Sequence, residues 1–203
     1  ITAQSADLET IRGELGLFID QYPGTEYAKQ ARVVLAELEL RRDSLSAAIQ
    51  ALEPVADLGS GDPLAFTAAG MIAATYEQGG DPGQAVEWYG RIDTNARFEY
   101  QRHFALGEQA RIYTAQGRYE EAIAIYESLV DEIDDDPTGQ EIFRVRLGEV
   151  RALHALGGAP PEAVPTMAPP AAPQAPPASD DASGDGAPEG GTEVGTGGSE
   201  GEG

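Results

Sequence analysis

The chain has 203 residues, with 35 acidic side chains against 13 basic ones, 25 Gly, 14 Pro and no Cys. That length allows one or two domains, and the lack of Cys excludes a disulfide scaffold and a Cys-ligated zinc or iron–sulfur site. A formal net charge of -22 repels phosphate backbones and anionic membrane surfaces, so no nucleic-acid partner is expected. The longest charge-free apolar stretch, Pro63 to Tyr76, has about 14 residues where a membrane span needs about 20. The chain opens at Ile1 without an initiator Met and is expected to derive from a longer precursor. Membrane association is then expected only through a removed N-terminal anchor or a partner complex.

Between Ser5 and Leu156 apolar residues recur at helical spacing and strand-like alternation is absent, which predicts an all-α segment. Turn signals at Tyr22-Pro23-Gly24-Thr25, Arg42-Asp43, Gly59-Ser60-Gly61-Asp62-Pro63, Gly79-Gly80-Asp81-Pro82, Asn95, Gly117 and Asp136-Pro137-Thr138 cut it into about eight helices. Ser5 to Gln21 is a lone leading helix. At its end Pro23 stops the helix, Gly24 turns, Thr25 caps the next helix, and Tyr22 and Tyr27 are expected to pack across the corner. Gln140 to Leu156 is a closing helix with a charged outer side of Arg144, Glu149 and Arg151. Of the prolines in this region, Pro54 alone falls away from a helix end or first turn.

The middle repeats itself. Ala48, Ala85 and Ala122 are 37 residues apart, each followed four residues later by a large residue (Leu52, Tyr89, Tyr126) and then by an apolar one (Val55, Ile92, Leu129). A small residue allows close helix approach and the bulky one fills the space beyond. Upstream of each Ala a second helix carries Leu35-Ala36, Ile72-Ala73 with Tyr76, and Ala110 with Tyr113. Each helix pair leaves an apolar face uncovered and must stack on its neighbours.

These residues resemble the tetratricopeptide repeat (TPR). The third copy supplies Leu106, Ala110, Tyr113, Gly117, Tyr119, Ala122, Tyr126 and Leu129. The second gives Ala73, Tyr76, Gly80, Ala85, Tyr89 and Ile92, and the first is degenerate, with Glu39 where Tyr is usual. The resemblance implies a TPR-like right-handed α-solenoid of about eight helices, namely a leading helix, three helix pairs and a closing helix. It spans residues 1–158, with 159–203 as a separate tail. Phe18-Ile19-Asp20-Gln21-Tyr22-Pro23-Gly24-Thr25-Glu26-Tyr27-Ala28-Lys29-Gln30-Ala31 is similar to a corner of bacterial envelope TPR proteins. These are YfgM-like ancillary Sec translocon subunits, Tol-Pal cell-division coordinators and BamD-like lipoproteins. That likeness implies a periplasmic setting, with the cytoplasm as the alternative.

The tail holds nine Pro, nine Gly and eight carboxylates without one cation or aromatic ring. Such a composition cannot bury enough apolar area to offset its ordering entropy, and disorder is expected.

No catalytic constellation is present. The two histidines, His103 and His154, belong to different helices, and no zinc, P-loop, nucleophile-elbow or dinucleotide motif occurs. Asp134-Asp135-Asp136-Pro137-Thr138-Gly139 begins like a calcium loop, but Val145 stands where the bidentate Glu would be needed. No enzyme activity, cofactor or metal is expected. What remains is the concave groove that the TPR resemblance implies. Its projected positions are Glu37, Arg41, Thr67, Glu77, Gln78, Phe104, Arg111, Thr114, Arg144 and Arg151. The Arg-rich half matches the carboxylates of an acidic peptide, or of the tail itself; alternatively these cations pair with Glu149, Glu108 or Asp134. The expected function is an adaptor for a protein or peptide partner in a cell-envelope assembly. The alternative is a structural subunit of a larger membrane-associated complex.

Overall fold

A computed structural model of the chain describes residues 2–133 and 137–157, with side chains from residue 7 onward. The predicted tail and the calcium-like triplet of residues 134–136 lie outside the described residues. Eight α-helices follow one another: α1 (Thr2–Gln21), α2 (Glu26–Arg41), α3 (Leu45–Ala56), α4 (Pro63–Gln78), α5 (Pro82–Asn95), α6 (Glu99–Ala115), α7 (Tyr119–Glu132) and α8 (Pro137–Ala155). A short 3-10 turn, Gly59–Gly61, joins α3 to α4, and no strand occurs among the described residues. Each helix packs on the next, so α4 lies against α3 and α5, and α6 against α5 and α7. The expected leading helix, three pairs and closing helix are all present, in an α-solenoid.

Local chemistry sets the helix starts. The Thr25 hydroxyl accepts from the Ala28 amide at 3.1 Å, Asp62 from Leu64 at 2.8 Å and Asp81 from Gln84 at 3.1 Å. Each occupies one of the amides that a first turn leaves unpaired, and Pro63 and Pro82 follow their caps where no amide is needed. The Gln101 side chain does the equivalent for α6, accepting from Arg97 at 2.9 Å and Phe98 at 3.2 Å.

The ends of α2, α4 and α6 are built alike. Asp43, Gly80 and Gly117, spaced by 37 residues, take left-handed φ values of 60°, 79° and 73°. The next amides return to carbonyls five residues back: Ser44 to Glu39 at 2.9 Å, Asp81 to Tyr76 at 2.9 Å and Arg118 to Tyr113 at 2.8 Å. This is the Schellman closure, and its threefold use gives each pair the same hairpin geometry. Pro54 sits inside α3 on its exposed side.

That geometry places equivalent residues in equivalent surroundings. Ala48, Ala85 and Ala122 are fully buried, as are Ala36, Ala73 and Ala110 opposite them. Leu52, Tyr89 and Tyr126 fill the neighbouring space and Val55, Ile92 and Leu129 close it. With no room at the alanines, one larger side chain there costs about 1–3 kcal/mol of overpacking.

Two expectations at the N-terminal corner fare differently. Thr25 caps α2, as its position implied. Tyr27, however, is 72% exposed, while Tyr22 stands beside Phe18 with ring centroids 5.1 Å apart. The reason is helical direction: Tyr27 falls in the first turn of α2, whose inward face is taken by Ala28 and Ala31. Glu39, the departure from the repeat pattern, is buried and receives Arg12 of α1 at 2.5 Å. An ion pair from the leading helix occupies the place of a packed Tyr.

Candidate peptide-binding groove

The first helices of the pairs, α2, α4 and α6, carry the projected groove positions, and α6 and α8 close on each other at one end. An added Cβ at Gly107 of α6 would stand 3.0 Å from the Phe143 ring of α8, so glycine there admits Phe143. Toward the N-terminal ends of α4 and α6 the groove has an aromatic patch. Phe104 meets Phe66 at 5.7 Å and Tyr89 at 6.0 Å, and Phe66 meets Tyr100 at 6.0 Å, all edge to face. Such pairs add about 0.5–1.5 kcal/mol beyond their area.

Behind this patch lies a buried charge cluster. Arg111 donates to both carboxylate oxygens of Glu77, at 2.8 and 2.5 Å, and its Nε to Glu108 at 2.9 Å. Glu108 and Arg111 are buried and Glu77 half-buried. Burial works against the Arg111 charge, but the two carboxylates outweigh it and hold its pKa above the ordinary value. Two positive-to-negative contacts on one guanidinium leave the trio one negative charge in excess. Burial also raises the Tyr89 hydroxyl, and the charge of Glu108 adds to it.

Beside the cluster is a cavity of about 430 Å³ lined by Arg111, Thr114 and Ala115 of α6, Tyr126 of α7, and Arg146, Glu149, Val150, Ala152, Leu153 and Leu156 of α8. Its walls are mainly apolar, with Arg146 and Glu149 paired at 3.0 Å on one side. Burial pushes the Tyr126 hydroxyl up to about 12. Size and character suit one large apolar side chain flanked by hydrogen-bonding groups.

The projected positions divide. Arg111 and Thr114 line the cavity, with the Thr114 hydroxyl donating to the Ala110 carbonyl at 2.8 Å. Glu77 faces Arg111, Phe104 belongs to the aromatic patch, and Thr67 is half-buried on α4. Glu37, Arg41 and Gln78 are exposed. Arg144 and Arg151 do not line the cavity, and their projection needs correcting. Arg151 pairs with Glu127 of α7, and Arg144 lies 3.7 Å from Glu141 on its own helix. In their place stand Arg146 and Glu149, which follow Arg111 and Thr114 by 35 residues instead of 37. Two residues of helix amount to about 200° of rotation, which moves a side chain to the opposite face.

The Arg side chains named for an acidic ligand are thus engaged within the fold: Arg111 by Glu77 and Glu108, Arg151 by Glu127, and the newly placed Arg146 by Glu149. His103 is half-buried on α6, and His154 stands 5.9 Å from the Tyr119 ring. Among the described residues no three His, Asp or Glu side chains gather as a metal site requires, and no helix is long and apolar enough to cross a membrane.

Residues 1–152 match the family described as tetratricopeptide repeat-like domain. Among solved structures, the chain is similar to a Podosopora anserina protein described as kinesin light chain nearly identical TPR-like repeats. The TM-score is 0.58 at 19% identity, covering 75% of this chain and 79% of that one. At that identity the likeness speaks for the fold alone. No curated protein matches the chain. The match across residues 1–152, with three equivalent helix pairs, means that the chain belongs to the tetratricopeptide repeat-like domain family.

Proposed function

We propose that the protein is a non-enzymatic adaptor that binds a polypeptide segment along the face formed by α4, α6 and α8, with one large apolar side chain of the partner seated between α6 and α8. The observation that carries this reading is the cavity of about 430 Å³ beside a rigid, self-neutralised ion cluster. Apolar walls supply affinity, and the fixed polar groups at the rim supply orientation. An apolar anchor fits better than an acidic peptide, because the arginines of this region already have carboxylate partners. The envelope setting, on the periplasmic side, belongs to the same proposal and is supported by the Tyr22-Pro23-Gly24-Thr25 corner.

Peptides selected from a displayed random library on the full chain test the proposal. They are expected to cross-link to benzoylphenylalanine introduced at Ala115, which lines the cavity, and not at Ala124, exposed on α7. Cross-linking through Ala124 instead would place binding elsewhere and contradict the reading.

A further inference from the structure

The helices α4 and α6 are each held between two second helices, whereas α8 packs against α7 on one side. Leu147 and Val150 face inward from α8 and are buried. On the far side the helix shows an apolar stripe at helical spacing: Ile142 is 46% exposed, Val145 52% and Leu156 81%, with exposed Ala152 between them. This is the side on which α3, α5 and α7 cover α2, α4 and α6. Glu149 stands in the middle of the stripe, and at its N-terminal end Glu141 is exposed, 3.7 Å from Arg144.

We infer that this face receives an amphipathic helix of a partner protein carrying cations beside its apolar stripe, docked where the second helix of a fourth pair would lie. Two alternative occupants fit poorly. The chain's own continuation cannot supply the helix, because between Pro160 and Pro177 no run free of proline exceeds three residues. A second copy would set Glu149 toward Glu149 if the two faces met about a twofold axis, and would bring together chains of charge -22 each. The same charge attracts a cationic helix. The repeat segment alone carries 27 carboxylates against all 13 Lys and Arg residues. Helix-in-groove docking of this kind uses apolar anchors about one turn apart, which the spacing of Ile142, Val145, Ala152 and Leu156 offers. The surface is separate from the anchor cavity at Ile142 and Val145, which do not line it.

Two synthetic peptides of about 18 residues, five turns of helix, with one shared Leu/Ala stripe and either Lys or Glu flanks, test the inference on the full chain. The Lys peptide is expected to bind at least about tenfold more tightly than the Glu peptide, by calorimetry or anisotropy. Val145→Asp and, independently, Ile142→Glu should each weaken it by about tenfold or more, with the circular dichroism of the fold unchanged. Glu149→Lys should invert the preference between the peptides. Ala115→Trp, which fills the cavity of the proposed function, should leave the Lys peptide's affinity within about twofold, so failure of one reading is distinguishable from failure of the other. The inference is overturned if the Lys peptide does not bind, or if its binding ignores Val145→Asp and Ile142→Glu and so reflects bulk charge alone. It is equally overturned by a dimer in light scattering that Val145→Asp dissolves, which would assign the face to a second copy. Truncation after Gly158 that uncovers the site and raises affinity about tenfold would assign it to the chain's own tail.

Discussion

Arg111 grips Glu77 through two guanidinium nitrogens, at 2.8 and 2.5 Å, and so ties α6 to α4 across the boundary between the second and third repeats. Its third contact, to Glu108, neutralises a carboxylate that has almost no solvent of its own. Replacing Arg111 by Met therefore strands a buried charge. The expected loss is about 3–5 kcal/mol, seen as a lower urea midpoint. Arg111→Lys should lie between the two, because an ammonium cannot hold both oxygens of Glu77 in a planar fork.

The alkaline limb of stability is set by buried tyrosines. Burial holds the Tyr126 hydroxyl protonated up to about 12 in the folded chain against 10.0 for a free side chain. The folded state then keeps a proton that the unfolded state loses. The stabilisation is complete below pH 10 and disappears as pH rises through about 12. Tyr126→Phe should flatten the fall in unfolding free energy across that interval. Tyrosinate absorbance should show Tyr126 and Tyr89 ionising after the exposed rings, such as Tyr27.

The acid limb runs the other way. Burial raises the Asp62 carboxyl, but Lys29 and the Leu64 amide outweigh it and leave its pKa below the ordinary 3.8. The unfolded state takes up the proton first, so this contribution is present above pH 3.8 and is lost as pH falls through the lower folded value. Asp62→Asn retains a capping oxygen but drops the charge facing Lys29, and should make stability less sensitive to acid between pH 4 and 2.

Asp43 occupies, at φ 60°, the position that glycine holds at Gly80 and Gly117. A left-handed backbone is unfavourable for a residue with a Cβ, although Asp tolerates it better than most. Asp43→Gly is expected to stabilise the chain by up to about 1 kcal/mol, offset in part by a freer unfolded state. Gly117→Ala should do the reverse, lowering the thermal midpoint.

Much of this fold was legible in the sequence because one feature recurs at one spacing. The alanines at 36, 73 and 110, those at 48, 85 and 122, and the turn residues 43, 80 and 117 repeat together. A helix pair with the same closure has no other way to stack. The groove was legible less well, for two physical reasons. The closing helix has apolar residues nearly all round, with Ile142, Phe143, Val145, Leu147, Val150, Leu153 and Leu156 leaving no unique buried face. A period carried over from the earlier repeats therefore missed by two residues, which is enough to exchange Arg144 and Arg151 for Arg146 and Glu149. Nor could spacing reveal that Arg111 is spoken for, because Glu77 lies 34 residues away and reaches it only through the packing of α4 on α6. Glu39 shows the converse. It read as a defect in the first repeat and is the anchor for Arg12 of α1.

The claim that matters most is that a polypeptide is held between α6 and α8. It is tested most directly by the calorimetric affinity of a library-selected peptide for the full chain and for Ala115→Trp, with Ala124→Trp as the control on exposed α7. Filling the cavity is expected to weaken binding by about tenfold or more while the urea midpoint and the control stay unchanged. Equal affinity for the cavity-filled chain, or a loss at Ala124→Trp instead, would contradict the account.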